Sequence, residues 1–403
     1  MKRVLIITYY WPPSGGGGVM RWLKMSRYLP EFGWQPVIYT PENPDPSVLD
    51  ESLAREVAPE TEIIRRPIWE PYDWYRKLTG KPKGEKFKAG YISEASRGSW
   101  KEKLSVFIRG NLLIPDPRVF WVKPSIRFLK NYLKENPVDL IVSTGPPHSM
   151  HLIGLGLKRK LGIPWLADFR DPWTDIDFYH RLRLTRLADA IHHHLEKKVL
   201  ASADFVTTVS PQICRSMETI AGRKIELVNN GYDPEDFEFD TETADDGSFT
   251  ISHFGAFNRD RNPAILWQVL RELSQEDPRF ATDLSIQLIG QTDETILQDI
   301  REAGLEKQLT VIPHKKHREG LELLRHSKVL LLPINDAPNM RGILPGKMYE
   351  YLALQRPIVV IGPPEGDFAA IIAETQSGVV HAFGDYPGLK KTINDLYLKF
   401  KEG

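Results

Sequence analysis

Short apolar runs rich in β-branched residues punctuate this chain, and stretches with helical spacing separate them. In the first half the runs are Val4–Thr8, Pro36–Thr40, Leu140–Thr144, Trp165–Asp168, Phe205–Ser210 and Ile225–Val228. In the second half they are Phe249–Phe254, Leu284–Ile289, Leu309–Ile312, Val329–Leu332 and Ile358–Ile361. Runs that are apolar throughout, not alternating, predict strands buried on both faces, as in parallel sheets with helical crossovers. Amphipathic spacing predicts helices from about Val19 to Leu29 and from Ala264 to Leu273, and another opening near Lys347. The fold class expected is therefore α/β, with two Rossmann-like domains.

The break between them shows in the charge. Pro234 to Asp246 holds seven acids and no base, and a fresh strand begins soon after Gly247. The expected layout is a first domain over 1–235, an acidic linker over 236–248 and a second domain over 249–385. The helix over 386–403 would pack back on the first domain. Residues from about Asp73 to Trp100 are polar and Lys-rich with little periodicity, which suits a surface loop near a binding site.

Composition narrows the class. Lys plus Arg equals Asp plus Glu, 53 each, so no global charge argues for nucleic acid. The lone Cys214 excludes an internal disulfide and suits a reducing compartment. No run approaches the roughly 20 apolar residues of a membrane span, so a cytoplasmic protein is expected. Between Arg76 and Lys134, however, the net charge is +11, with Trp100, Phe107, Leu112, Leu113, Ile114, Phe120 and Trp121 interleaved. A surface of this kind suits peripheral contact with anionic lipid; the alternative is a solvated basic face over a few core residues.

Candidate chemistry clusters at predicted strand ends. Gly342-Ile343-Leu344-Pro345-Gly346-Lys347 opens a helix, whose first N–H groups and positive dipole end suit a phosphate. Lys347 adds a cation in the first turn. Glu350, about one turn on, can accept two hydroxyl hydrogen bonds, as from a ribose. The first predicted strand runs into Gly15–Gly18, which lacks both the dinucleotide and the Walker spacing yet allows close backbone approach to a ligand. Ala167-Asp168-Phe169-Arg170-Asp171-Pro172-Trp173 leaves another strand carrying three charges, and His148 follows a third. Phe254-Gly255-Ala256-Phe257-Asn258-Arg259-Asp260-Arg261 and Leu288-Ile289-Gly290 end two strands of the second half. His192, His193 and His194 are consecutive on a predicted helix and cannot chelate together; no metal site is expected.

The ordered series resembles glycosyltransferase family 4, the retaining, nucleotide-sugar-dependent enzymes of GT-B fold. It runs from Pro12-Pro13-Ser14-Gly15-Gly16-Gly17-Gly18 through Ala167-Asp168-Phe169-Arg170-Asp171-Pro172-Trp173, Asn229-Asn230-Gly231 and Phe254-Gly255-Ala256-Phe257. It ends at Leu344-Pro345-Gly346-Lys347-Met348-Tyr349-Glu350-Tyr351-Leu352-Ala353. The resemblance implies two domains facing across a cleft, the acceptor on the first and a UDP- or GDP-sugar on the second, with no tightly bound cofactor. Glu350 would hold the ribose hydroxyls. Arg261 and Lys347 would hold the diphosphate with the backbone of Gly17 and Gly18, Arg259 standing in for an Arg that relatives carry after Gly255. Ile343, Leu344 and Gly346 would touch the phosphates or the sugar, and the base could bond backbone near Gly290. Arg170 and Asp171 would stand near the transferred sugar, and His148 and Asp168 near a glycan or lipid-linked acceptor of cell-surface type. Two departures stand out: relatives carry a second Glu where this chain has Gly342, and an Arg where it has Ala256. The one at Gly342 motivates an alternative, a degenerate non-catalytic partner subunit; a nucleotide-sugar epimerase on the same architecture is the other.

Overall fold

The computed structural model describes residues 1–45, 48–71, 100–239 and 247–402. The chain divides into two compact units, Met1–Asn229 and Asn230–Gly403. The predicted loop over 73–99 and residues 240–246 of the predicted linker lie outside the described residues.

The first unit holds a seven-stranded sheet: β1 (Lys2–Ile7), β2 (Trp34–Pro41), β3 (Glu62–Arg66), β4 (Leu140–Gly145), β5 (Trp165–Phe169), β6 (Phe205–Thr208) and β7 (Glu226–Leu227). Their spatial order is β3-β2-β1-β4-β5-β6-β7, and every pairing is parallel. Leu5 lies in register with Val37 on one side and Ile141 on the other. All three side chains are fully buried, as double-sided cover of a parallel sheet requires.

The second unit holds a six-stranded sheet: β8 (Phe249–Phe254), β9 (Leu284–Ile289), β10 (Leu309–Ile312), β11 (Val329–Pro333), β12 (Ile358–Ile361) and β13 (Gly378–His381). The order is β10-β9-β8-β11-β12-β13, again all parallel. In each sheet the strand order reverses once, between β1 and β4 and between β8 and β11. Doubly wound sheets bind ligands beyond the carboxyl ends of the strands at such a reversal.

Strands β3 and β13 depart from the expected set. Both are edge strands, Glu-Ile-Ile-Arg-Arg and Gly-Val-Val-His, and neither is apolar throughout. The C-terminal helix Tyr386–Glu402 is built into the second unit. Leu389, Ile393 and Tyr397 join the core of the second unit with Phe249 and Phe280, and Tyr397 donates to Asp283 at 2.8 Å. The acids Glu235 and Asp236, expected in and around a linker, sit in a short helical turn, Pro234–Phe237, capped by Asp233.

Candidate active site at two strand-order reversals

In the second unit β8 ends at Phe254, and Gly255 turns away with φ +100°. Gly290, after β9, has φ +117°, and a side chain there would collide with the Gly255 carbonyl. The two turns are thus in backbone contact, which only glycine allows.

Onto this turn falls the helix Lys347–Leu354. Lys347 Nζ donates to the Phe254 carbonyl at 2.6 Å and lies 3.3 Å from where a Gly255 Cβ would stand. One turn along the same helix, the Tyr351 hydroxyl accepts from the Phe254 N–H at 3.0 Å. The helix therefore holds the last residue of β8 by both of its main-chain polar groups.

His253 completes the group. Its Nδ1 meets the Leu331 carbonyl at 3.1 Å; a carbonyl only accepts, so Nδ1 carries the proton. Nε2 is then a lone pair, and it faces Lys347 Nζ at 3.3 Å. Burial, then the Lys347 charge, hold the His253 pKa well below the usual histidine range. Burial, then Arg261, bring the Lys347 pKa down to about 7, against which Glu350 works. This ammonium has neutral acceptors beside it and a second cation near it.

Arg261 follows in a short turn, Arg259–Arg261, and its Nε donates to Asn335 Oδ1 at 2.8 Å. Asn335 lies just past β11, so the bond spans the reversal. Arg259 is exposed, and with Arg261, Asp336 and the start of the helix Ala264–Glu276 it lines a pocket of about 380 Å³. Glu350 is mostly buried and meets His317 Nε2 at 2.8 Å through Oε1. Gly346 is exposed with open space around it. Ile343 is half-buried, while the Leu344 side chain belongs to the core, so that Leu344 offers a ligand only its backbone. Gly342 is buried at the end of a short helical turn.

In the first unit the helix Gly17–Tyr28 begins two residues before the expected Val19. A Cβ on Gly17 would meet open space, whereas one on Gly18 would press on Tyr10 and Arg170. Arg170 is half-buried and acts as a strut. It donates to the Gly18 carbonyl at 2.7 Å and to the Pro146 carbonyl, tying the glycine loop to the loop after β4. Its Nε has no partner. Asp171 beside it is exposed. His148 is buried, stacks on Trp173 at 4.8 Å and 6°, and leaves Nδ1 unpartnered.

Asp168 corrects an expectation. Its fully buried carboxylate accepts from Arg21 Nε at 3.2 Å and Nη2 at 3.0 Å, and from Trp22 Nε1 at 2.8 Å. Thr144 adds a hydroxyl at 2.9 Å and Thr207 another at 2.8 Å. Burial alone would raise its pKa, but Arg21 and these donors outweigh that and hold it below the usual carboxylate range. With its lone pairs taken, Asp168 braces the ends of β4, β5 and β6 and has nothing left for an acceptor hydroxyl.

The interleaved aromatics of the basic region divide. Trp121 is core, stacked on Tyr39, and gives its N–H to the Pro67 carbonyl. Phe107, Leu112 and Phe120 are exposed, with exposed Trp69 edge-on to Phe120, and Lys103, Lys123 and Arg127 are exposed on the same two helices, Trp100–Asn111 and Val119–Glu135. Among the described residues no helix is long and apolar enough to cross a membrane, and no His, Cys, Asp and Glu cluster could hold a metal.

His253, His317, Asn335 and Tyr351 escaped the sequence reading. His253 left a trace, a titratable residue inside an otherwise buried strand. The other three gain their roles only from partners 33 to 97 residues away.

The family model "Glycosyltransferase Family 4" matches residues 91–236. No curated protein sequence matches the chain. Among solved structures, sucrose-phosphate synthase from Thermosynechococcus elongatus superposes with a TM-score of 0.64 at 15% identity, covering 100% of this chain and 91% of that one. WaaG, a glycosyltransferase involved in lipopolysaccharide biosynthesis, gives 0.56 at 12%, covering 99% and 93%. An S. aureus TarM mutant in complex with Fondaparinux, alpha-GlcNAc-glycerol and UDP gives 0.58 at 9%, covering 98% and 91%. The two parallel sheets are those of the GT-B fold.

Proposed function

We propose that this chain, which matches the model of glycosyltransferase family 4 over residues 91–236, moves a hexose-type sugar from a UDP- or GDP-sugar to an acceptor hydroxyl, with retention, in cell-surface glycan synthesis. The second unit takes the donor and the first the acceptor. The observation that carries this reading is the cation pair Lys347 and Arg261 at the β8/β11 reversal, with Lys347 over a glycine turn and faced by neutral groups. A diphosphate would add negative charge between these two cations. UDP, the ligand in the TarM complex, fits this chemistry.

In the reaction the bond from the anomeric carbon to the diphosphate breaks. Positive charge grows on the sugar and negative charge on the departing phosphate. Lys347, Arg261 and the first N–H groups of the helices Lys347–Leu354 and Ala264–Glu276 stabilise that phosphate. The acceptor oxygen bonds to the same face of the sugar, and its proton passes to the leaving phosphate oxygen, so no protein nucleophile is required. Glu350 holds the ribose. Arg170, Asp171, His148 and the backbone of Gly17 and Gly18 are the first unit's candidate contacts to sugar and acceptor. Lys347 takes the place left by Ala256, since its ammonium comes from another element to the same glycine turn. The exposed basic and aromatic face of the helices Trp100–Asn111 and Val119–Glu135 suits a lipid-linked acceptor at an anionic membrane.

The test is thermal stabilisation by UDP, GDP, ADP and CMP with and without EDTA, followed by nucleotide release from the matching sugar conjugate. A shift with UDP or GDP that survives EDTA, weakens in Glu350→Ala, and precedes acceptor-dependent release supports the proposal. Binding without release in any acceptor mixture would favour the non-catalytic partner subunit. Conversion of the donor sugar without acceptor would mark an epimerase.

A further inference from the structure

Glu350 does not stand alone. A carboxylate only accepts, so His317 Nε2 carries the proton of the 2.8 Å bond to Glu350 Oε1. On its other side His317 Nδ1 lies 3.9 Å from Asp236 Oδ2. All three side chains are between 12% and 18% exposed, a semi-enclosed row of acid, imidazole and acid. The helix His317–Leu324 is itself fixed against the segment that bears Asp236: Arg318 donates to the Glu238 carbonyl, and the Arg325 guanidinium stands over the Phe239 ring at 5.5 Å. The imidazole therefore has a fixed base and a fixed reach.

A glutamate has three side-chain torsions to lose before it can receive a diol. Ordering a side chain of this kind at the moment of binding weakens a ligand about three- to tenfold. We propose that His317 is a positioning residue for nucleotide recognition. It occupies Glu350 Oε1, fixes the carboxylate plane and leaves Oε2 directed to a ribose hydroxyl, while the anchored helix His317–Leu324 sets where the imidazole stands. The inference rests on the proposal that Glu350 receives the ribose.

The test compares UDP with deoxyUDP (or GDP with deoxyGDP, if guanine is preferred) by calorimetry on the full chain. The ratio of the two affinities reads hydroxyl recognition and is blind to general loosening of the fold. Wild type should prefer the ribonucleotide about tenfold. His317→Met fills the ring's space without a donor. It should weaken UDP about three- to tenfold, leave deoxyUDP unchanged and bring the ratio near one. His317→Gln, which restores an N–H, should recover the preference. Equal weakening of both nucleotides in His317→Met, or an intact preference there while Glu350→Ala abolishes it, would overturn the role of His317 alone. An intact preference in Glu350→Ala would overturn the ribose assignment itself, and this inference with it.

Discussion

The two units place a charged group at the strand-order reversal in opposite ways. In the first, Asp168 is buried beneath donors from four other residues, including a guanidinium that is itself 4% exposed. In the second, Lys347 has a carbonyl and an imidazole lone pair beside it, both neutral, with burial and Arg261 opposing its charge more than Glu350 supports it. One charge is compensated fully within the fold; the other is compensated only in part, by Glu350, until an anion arrives. A buried charge with all its partners braces structure, and a buried charge short of them marks where a ligand binds.

The sharpest way to break this contrast is to remove each charge and see what fails. Asp168→Ala leaves the Arg21 guanidinium buried without its carboxylate. It should cost about 3–5 kcal/mol, a fall in Tm of roughly 10 °C by calorimetry. Lys347→Met should do the reverse. Turnover should fall about 100- to 1000-fold in a nucleotide-release assay, while Tm holds or rises because a desolvated cation is gone. If Lys347→Met melted as early as Asp168→Ala, Lys347 would belong to the scaffold and the comparison would collapse.

A smaller effect sharpens it. The Lys347 pKa falls from 10.5 to about 7 on folding. Between those values the unfolded chain keeps a proton that the folded chain releases, so this residue's contribution to stability rises with pH across that window. A bound diphosphate favours the charged form and reverses the preference. UDP should therefore bind with proton uptake near neutral pH and lose several-fold in affinity towards pH 9. Titration calorimetry in buffers of different ionisation enthalpy reads this directly, and Lys347→Met should show no such uptake.

Much of the fold was legible because the central strands are apolar on both faces, as in Val4–Ile7 or Leu330–Leu332. Strands β3 and β13 were not, because an edge strand has only one neighbour and tolerates Glu62, Arg65 or His381. Glycine turns and cations at strand ends were legible in type. Their pairing was not. Asp168 carries the same chemistry in the sequence as a sugar-binding aspartate, and only Arg21, 147 residues away, shows it to be spent on the fold. Arg170 reads in the sequence only as a cation at a strand end, and its bonds to two backbone carbonyls, of Gly18 and Pro146, appear only in the fold.

The grip of one helix on Phe254, through Lys347 on its carbonyl and Tyr351 on its N–H, bears on protein engineering. Exchanging the segment around Lys347–Leu354 between family members would bring the ammonium without the strand end that aims it. Donor preference should move between such chimeras only when 253–257 and 347–351 are swapped together, as one cassette.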